Sequence, residues 1–482
     1  MSDTVIADVL LAVSALLVAS HLFGYVFIRL RQPRLVGEIL AGILLGPFVL
    51  GRLWPEGHAA LFGAGSTGPV STVLGFIYWM GLMLLMFISG SQVRRVLASE
   101  NRQETAWILG VGTPVPFFVV LILGLTGVLP VRPLVGAAGQ EISALLVLSI
   151  AVAVTSIPVI SRIFYDLRIL HTRFASLILG AAVLEDIILW AVLAIATALA
   201  STAALAREQV AGAVGVHVAA TLAYTLIALL LTPHILRQLH AWRWNLLRKA
   251  SPLGYLLTIL FFYAIVAALL EVNLVFAAFL AGFGVVGGMS GSERPRFQKI
   301  FAAIEQFSTS TFIPIYFALV GYRLVFGTGF SLTMLVIFLV GSSLLAVLSV
   351  GSAARLAGFR RLDILNIAIT TNARGGPGIV LASVAYDAGL INAAFYTTLV
   401  VAAVITSQAA GVWLRFVLSR GWPLLSTNPE ETWLPARPAS PPAAEPIPGA
   451  APIPATGHSP NPGGVSPADS GPGLESYGRT AD

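Results

Sequence analysis

Apolar runs, each about as long as a bilayer is thick, recur along this chain with short polar segments between them. A helix needs about 20 apolar residues to cross a bilayer. The pattern predicts thirteen spans, at approximately 5–28, 35–51, 72–92, 105–129, 142–164, 174–200, 209–235, 252–270, 274–290, 299–322, 330–353, 364–386 and 391–418. Runs of this length are too long for barrel strands, so an all-α polytopic membrane protein is expected. The ninth span is short and is expected to pack tightly against the eighth. Several spans contain Gly or Pro, which membrane helices tolerate when neighbours satisfy the freed backbone groups. The first run has no basic segment before it and no obvious small-residue cleavage site, so it reads as a retained helix.

The polar segments sort by charge. One set carries Arg29, Arg31 and Arg34, then Arg94, Arg95 and Arg102, and continues to Arg415 and Arg420; the other holds only Arg52, Arg132, Arg207 and Arg323. Basic loops stay cytoplasmic, so the N-terminus is expected outside and the C-terminus inside. A miscounted span would have exchanged the rich and poor sets from that point on, which supports the count. Trp242 and Trp244 flank basic residues, where tryptophan anchors a chain at the membrane interface. After about Pro423 the chain turns rich in Pro, Ala, Gly and Ser, and residues 426–482 hold no apolar period. Such a segment buries too little surface to offset its ordering entropy. The expected organisation is a membrane domain over 1–422 and a disordered cytoplasmic tail over 423–482, with no regulatory nucleotide-binding domain.

Composition agrees: 57% of the 482 residues are hydrophobic and 10% charged, with a mean hydropathy of +0.88. There is no cysteine, which rules out disulfides and thiolate metal sites. The formal charge of +6 is distributed among loops and points to no nucleic-acid partner. The seven histidines, His21, His58, His171, His217, His234, His240 and His458, show no metal-ligand spacing. No transition metal and no cofactor is expected.

Two adjacent carboxylates, Glu185 and Asp186, lie in the middle of the sixth span, in Ala181–Trp190. A charge at the bilayer centre costs roughly 2.5–3.5 kcal/mol on insertion scales, so such acids line a pathway or a bundle interior. Helix neighbours point about 100° apart, so the two can face one cavity without sharing a ligand symmetrically. The fifth span carries Thr155-Ser156-Ile157-Pro158. Pro158 leaves the carbonyl of Val154 without its helical partner, and the two hydroxyls stand beside it. Oxygens of this kind suit a hard, desolvated monovalent cation.

The twelfth span carries Thr370-Thr371-Asn372-Ala373-Arg374-Gly375-Gly376-Pro377-Gly378, which reads as a broken helix. Arg374 lies deep inside that span and needs an acid or a carbonyl as partner. Spans five and twelve are each second from the end of a six-span set, 1–6 and 8–13. Matched interruptions in two halves point to an inverted-repeat transporter, and the odd span between the sets inverts the second. Glu38, near the start of span two, and Glu305, in the first turns of span ten, are candidate gating or helix-end residues.

These features together resemble the bacterial monovalent cation:proton antiporters, the cation/H⁺ exchanger type that includes Na⁺/H⁺ antiporters and K⁺ efflux systems. The carriers are PRLVGEILAGILLGP (33–47), LGFIYWMGLMLLMFISG (74–90), TSIPVISRI (155–163), AAVLEDIILW (181–190), FIPIYFALVGYRL (312–324) and NARG (372–375). The resemblance implies an Na⁺/H⁺ antiporter-like fold: two inverted six-helix repeats, crossed broken helices and a dimerisation domain, hence a homodimer in the membrane lipid. It also implies that Asp186 matches the ion- and proton-binding aspartate. Glu185 falls on the preceding residue, Asp in electrogenic relatives and Asn in electroneutral ones. Ser308–Thr311 occupy the stretch where some electrogenic members place a lysine.

The expected function is secondary antiport of protons against Na⁺ or K⁺ across the cytoplasmic membrane, with both ions competing for Asp186 and no covalent chemistry. Thr155, Ser156 and backbone carbonyls are expected to assist; Pro158, Asn372, Arg374 and Gly375 shape the broken helices. A solute:cation symporter of similar fold, or a channel or non-transporting sensor, stands as the alternative. An intramembrane aspartyl protease is excluded, because neighbouring acids on one helix cannot form a facing dyad.

Overall fold

The computed structural model describes residues 2–30, 32–63, 68–96, 102–156, 160–161, 163–164, 167–170, 172–201, 216, 219–289, 294–327 and 330–426. These residues are helical apart from loops and one isolated β-bridge, Val135 to Ile391. The main helices in chain order are α1 (Asp3–Arg29), α2 (Arg34–Leu45), α3 (Pro69–Val96), α4 (Pro114–Leu125), α5 (Glu141–Ala153), α6 (Arg173–Ser201), α7 (Thr232–Ala241) and α8 (Pro252–Leu269). Then come α9 (Leu274–Gly287), α10 (Arg294–Ser310), α11 (Phe312–Tyr322), α12 (Leu332–Leu356), α13 (Arg361–Thr371), α14 (Gly375–Asp387) and α15 (Ala393–Ser419). Among the described residues, eight helices are long and apolar enough to cross a membrane. Polar caps fix where several begin: the side chains of Asn273, Ser331 and Asn392 accept the free N–H groups at the starts of α9, α12 and α15.

Two stretches widen into π-turns, Ile108–Gly112 before α4 and Ile227–Leu231 before α7. Each is followed at once by Thr-Pro, Thr113-Pro114 and Thr232-Pro233. The proline removes one helical N–H and its ring crowds the carbonyl four residues back. A wider turn relieves that crowding.

The helices form two groups. In one, α1, α2, α3, α8, α9 and α11 pack on each other; in the other, α4, α5, α12, α13, α14 and α15 do so together with α6, which also touches α3 and α9. Backbone contact is closest at two crossings, α2 with α11 and α3 with α9. A Cβ on Gly42 would fall 1.7 Å from the carbonyl oxygen of Ala318, and one on Gly321 would fall 2.0 Å from that of Ile39. At the other crossing Gly90 meets Phe279 and Gly282 meets Phe87 at 1.9 and 2.0 Å. Each crossing is reciprocal, with a glycine on one helix facing the carbonyl three residues before the partner's glycine. Small residues are how membrane helices approach this closely. Exchanging the first six spans with the last six turns one crossing into the other. The contacts α1·α2 and α8·α9, and α4·α5 and α12·α13, are related in the same way. The packing therefore repeats as the interrupted spans suggested.

Four expectations change. Span ten is not one helix: it breaks at Thr311 into the polar, amphipathic α10 and the buried, apolar α11. A hydropathy window had averaged across that junction. Glu305 consequently sits late on α10, exposed, and accepts from Gln92 at 3.5 Å, where a gating or helix-end residue in the first turns of a span had been expected. The seventh helix continues to Ala241, past the expected end at 235. The packed region also reaches beyond 422. Leu424 and Leu425 are buried, the Asn366 amide donates to the carbonyl of Leu424 at 3.1 Å, and the Ser426 N–H and hydroxyl donate to Asp363 at 2.7 and 2.8 Å. The composition shift had marked where polar residues begin, and it missed the two leucines that dock first. Residues 427–482 lie outside the described residues.

A chain ending after Ser426 is therefore expected to melt like the full-length protein. One ending after Gly421 loses two buried leucines, each worth about 1.5–3 kcal/mol, and removes the Ser426 donors to Asp363 and the carbonyl acceptors of the Asn366 amide. Thermal melts of both truncations in detergent check this; equal melting would mean the docked segment adds nothing.

Candidate ion-binding site

Both predicted interruptions are present. The helix α5 stops at Ala153, and Val154, with ψ 136°, leaves the helical path. On the other strand of the crossing, α13 ends at Thr371 and α14 starts at Gly375, whose φ of +33° suits a residue without a Cβ. The two breaks are bonded to each other. The Ser156 N–H donates to the carbonyl of Ala373 at 2.7 Å, and the Thr155 hydroxyl donates to the carbonyl of Thr371 at 2.9 Å. The start of α14 is held by α15: the Gly375 N–H donates to Ser407 at 3.0 Å and that of Arg374 to Thr406 at 3.4 Å. These bonds occupy groups that a broken helix leaves without helical partners. Pro158 lies outside the described residues.

Helix α6 brings the acids to this crossing. Glu185 is 4% exposed and accepts twice, from the Thr155 N–H at 2.5 Å and from the Thr113 hydroxyl at 3.2 Å. It lines a small cavity together with Thr113, Thr155, Thr371 and Asn372. The cavity offers about 10 Å³ to the centre of a water-sized sphere, room for about one water or one bare monovalent ion. Glu185, and not Asp186, is among the residues lining this cavity. The 100° step between helix neighbours separates them. Asp186 is fully buried, and among the described residues neither of its carboxylate oxygens has a hydrogen-bond partner. A buried carboxyl with no donor at either oxygen is costly unless a proton or a cation neutralises it.

Arg374 is 2% exposed, and of the two kinds of partner expected, an acid or a carbonyl, it has the carbonyl, joined by a hydroxyl. Its guanidinium donates to the Ser342 hydroxyl at 2.8 Å and to the Asn372 side-chain oxygen at 3.2 Å, and it lies 5.4 Å from the centre of the Phe338 ring. The carbonyl-type partner is Asn372, two residues earlier; the hydroxyl comes from α12. Glu38 pairs with Arg34 one turn before it, at 2.7 Å, and is buried in α2. Of the predicted residues, Glu185, Thr155, Ser156, Asn372, Arg374 and Gly375 come together at the crossing, with Asp186 adjacent to Glu185 on α6. Glu38 stands on a helix of the other group, and Glu305 on α10, which packs against that group.

Thr113 was not singled out in the sequence. Its signal is the Thr-Pro step after the π-turn, and the turn is itself fixed by the Ser349 hydroxyl, which donates to the carbonyls of Val111 and Gly112 at 3.0 and 3.1 Å. Only the tertiary contact puts its hydroxyl on Glu185.

A family profile for the transmembrane sodium/hydrogen exchanger matches residues 13–420. The chain belongs to the sodium/hydrogen exchanger family. It is 24% identical over 405 residues to the Na⁺/H⁺-K⁺ antiporter GerN of Bacillus cereus, covering 84% of this chain and 95% of that protein. It is likewise 24% identical over 454 residues to the high-affinity Na⁺/H⁺ antiporter NhaS3 of Synechocystis, covering 86% of this chain and 91% of the other. Among solved structures it is similar in fold to the sodium proton antiporter MjNhaP1 of Methanocaldococcus jannaschii, with a TM-score of 0.59 and 14% identity, over 85% of this chain and 98% of that one. As a sodium/hydrogen exchanger family member, the chain is an integral membrane protein of a transporter family, and its fold is the antiporter fold that the interrupted spans indicated.

Proposed function

We propose that this exchanger trades protons for a monovalent cation, Na⁺ or K⁺, by letting the two compete for Asp186. The observation that carries this reading is the pair of Asp186 oxygens, fully buried and without hydrogen-bond donors, beside two crossed breaks. A protonated Asp186 has no charge with which to hold a cation; an ionised one gains by binding a dehydrated ion. Backbone carbonyls freed at the breaks and the hydroxyls of Thr155 and Ser156 supply further oxygens nearby. Alternating exposure then carries the loaded carboxylate from one side to the other. The relatives GerN and NhaS3 carry antiporter names, one for Na⁺ and K⁺ and one for Na⁺, which supports this ion class. The proposed assembly is a homodimer in the cytoplasmic membrane. The proposed topology, N-terminus outside and C-terminus in the cytoplasm, follows the asymmetry of basic residues.

Glu185 has a different part in this reading. Its two oxygens accept from Thr155 and Thr113, so it is a positioning group in the cavity wall, and a single carboxylate exchanges ions per cycle. One proton then leaves for each cation and no net charge moves. Two protons per cation would move one charge, which a potential of about 100 mV biases by about 2.3 kcal/mol.

The test is proton flux in reconstituted vesicles at a clamped potential, with Na⁺, K⁺ and Li⁺ offered in turn. Cation-dependent flux independent of the potential is expected, and Glu185→Gln should keep exchange with a shifted pH profile. Absence of cation-dependent flux would remove the antiport reading; flux that follows the potential would make Glu185 a second proton carrier.

A further inference from the structure

Besides the packing of α6 on α3 and α9, the two helix groups are joined by hydrogen bonds at one rim. Five hydrogen bonds join them between described residues, and all five lie at the ends facing the loops poor in basic residues. The Tyr78 hydroxyl of α3 donates to Asp387 Oδ2 at 2.7 Å, and Arg323, just past the end of α11, donates to Asp387 Oδ1 at 2.7 Å. The Arg323 guanidinium also lies 4.1 Å from the centre of the Tyr78 ring. A turn deeper, the Tyr316 hydroxyl donates to Ser383 at 3.3 Å. Towards α15, the Tyr396 hydroxyl donates to the carbonyl of Val320 at 3.2 Å, and the Val325 N–H donates to Thr397 at 3.1 Å.

These links differ in kind from the contacts inside each group. Within the first group, backbones touch at the glycine crossings, and parting them would dismantle the packing. Between the groups, the links are side-chain hydrogen bonds at the rim, with Arg323 one-third and Asp387 one-fifth exposed. Water can replace the partly exposed Arg323–Asp387 pair at small cost when it parts. Asp387 receives two donors from the first group and terminates α14, the half-helix whose other end is the break at Gly375. Sliding α14 past α3 and α11 would have to release Asp387 first.

We propose that Tyr78, Arg323 and Asp387 form the outer gate of the transport path, closed in this structure and opened when the group holding the ion site moves. The proposal deepens the antiport reading and rests on it and on the orientation given by the basic residues. With this gate closed, the outer route to the crossing is sealed, and weakening it shifts the population towards the outward-open state.

The chain has no cysteine, which makes the test clean. Ile379 is fully buried on α14, one turn deeper than Ser383 and on the same face. Ile379→Cys is introduced alone, with Asp387→Asn, and with the reversed pair Arg323→Asp and Asp387→Arg. Labelling by an impermeant thiol reagent added outside is followed in intact cells. Asp387→Asn should raise the labelling rate about fivefold or more, and the reversed pair should bring it back towards that of the single cysteine. In vesicles, Asp387→Asn should lower the half-saturating external cation concentration and raise the internal one. Unchanged labelling in Asp387→Asn, or a change that the reversed pair does not undo, overturns the gate. Labelling reports opening whether or not ions are exchanged, so a failed antiport reading is told apart from a failed gate.

Discussion

Asp186→Asn is expected to abolish cation–proton exchange while the protein still inserts and folds. The substitution keeps the shape of the side chain. No donor is stranded, because neither oxygen of Asp186 accepts a hydrogen bond from the described residues. Stability should therefore stay within about 1 kcal/mol of the parent, the ordinary range for a change that breaks no buried partnership. What disappears is the only property the mechanism uses at this position, a carboxylate that either carries a proton or attracts a cation. Expression, elution profile and thermal melt should match the parent, with exchange at the level of empty vesicles. Substantial exchange by a well-folded Asp186→Asn protein would move the ion site elsewhere, with Glu185 the next carboxylate to examine.

The largest structural effect is expected at a glycine. Gly42→Ala adds a single carbon, but that carbon would lie 1.7 Å from the carbonyl oxygen of Ala318, far inside van der Waals contact. Backbone cannot rotate away as a side chain would, so α2 and α11 must separate, and the reciprocal contact of Gly321 with Ile39 goes with them. Overpacking a core costs about 1–3 kcal/mol, occasionally more, and a backbone clash belongs at or above the top of that range. A sharp fall in melting temperature, or failure to accumulate in the membrane, is expected. The control is Gly75→Ala on α3, where an added carbon meets nothing within 4 Å. There the gain in helix propensity, about 0.5–1 kcal/mol, should leave stability equal or higher. Equal behaviour of the two variants would show that the crossing tolerates separation.

The broken helices were legible in the sequence because their cause is local. Proline and consecutive glycines dismantle a helix wherever they stand, and an acid pair inside an apolar run has few uses other than an ion path. The partners of Arg374 were legible only in kind. Burial required something for the guanidinium to bond, but Ser342 lies on another helix at no readable spacing. The gate was invisible for a similar reason. Arg323 and Asp387 read as ordinary helix-end residues, and only the packing of α11 against α14 turns them into a pair. The division between α10 and α11 was blurred because hydropathy averages over a window wider than the break at Thr311. The segment up to Ser426 was lost to the opposite fault, since composition is a property of long stretches and the docking needs only a few residues.

Competition at one carboxylate has a quantitative signature, and it can be measured on the unaltered protein. In vesicles, the cation concentration giving half-maximal exchange is determined over a series of pH values. If a proton and a cation exclude each other at Asp186, that concentration rises by about tenfold for each unit of pH below the site's own pKa, while the rate at saturating cation stays constant. A half-saturating concentration that ignores pH, with a maximal rate that falls as protons increase, would mean that the two ions bind at separate places and that Asp186 is not their shared site.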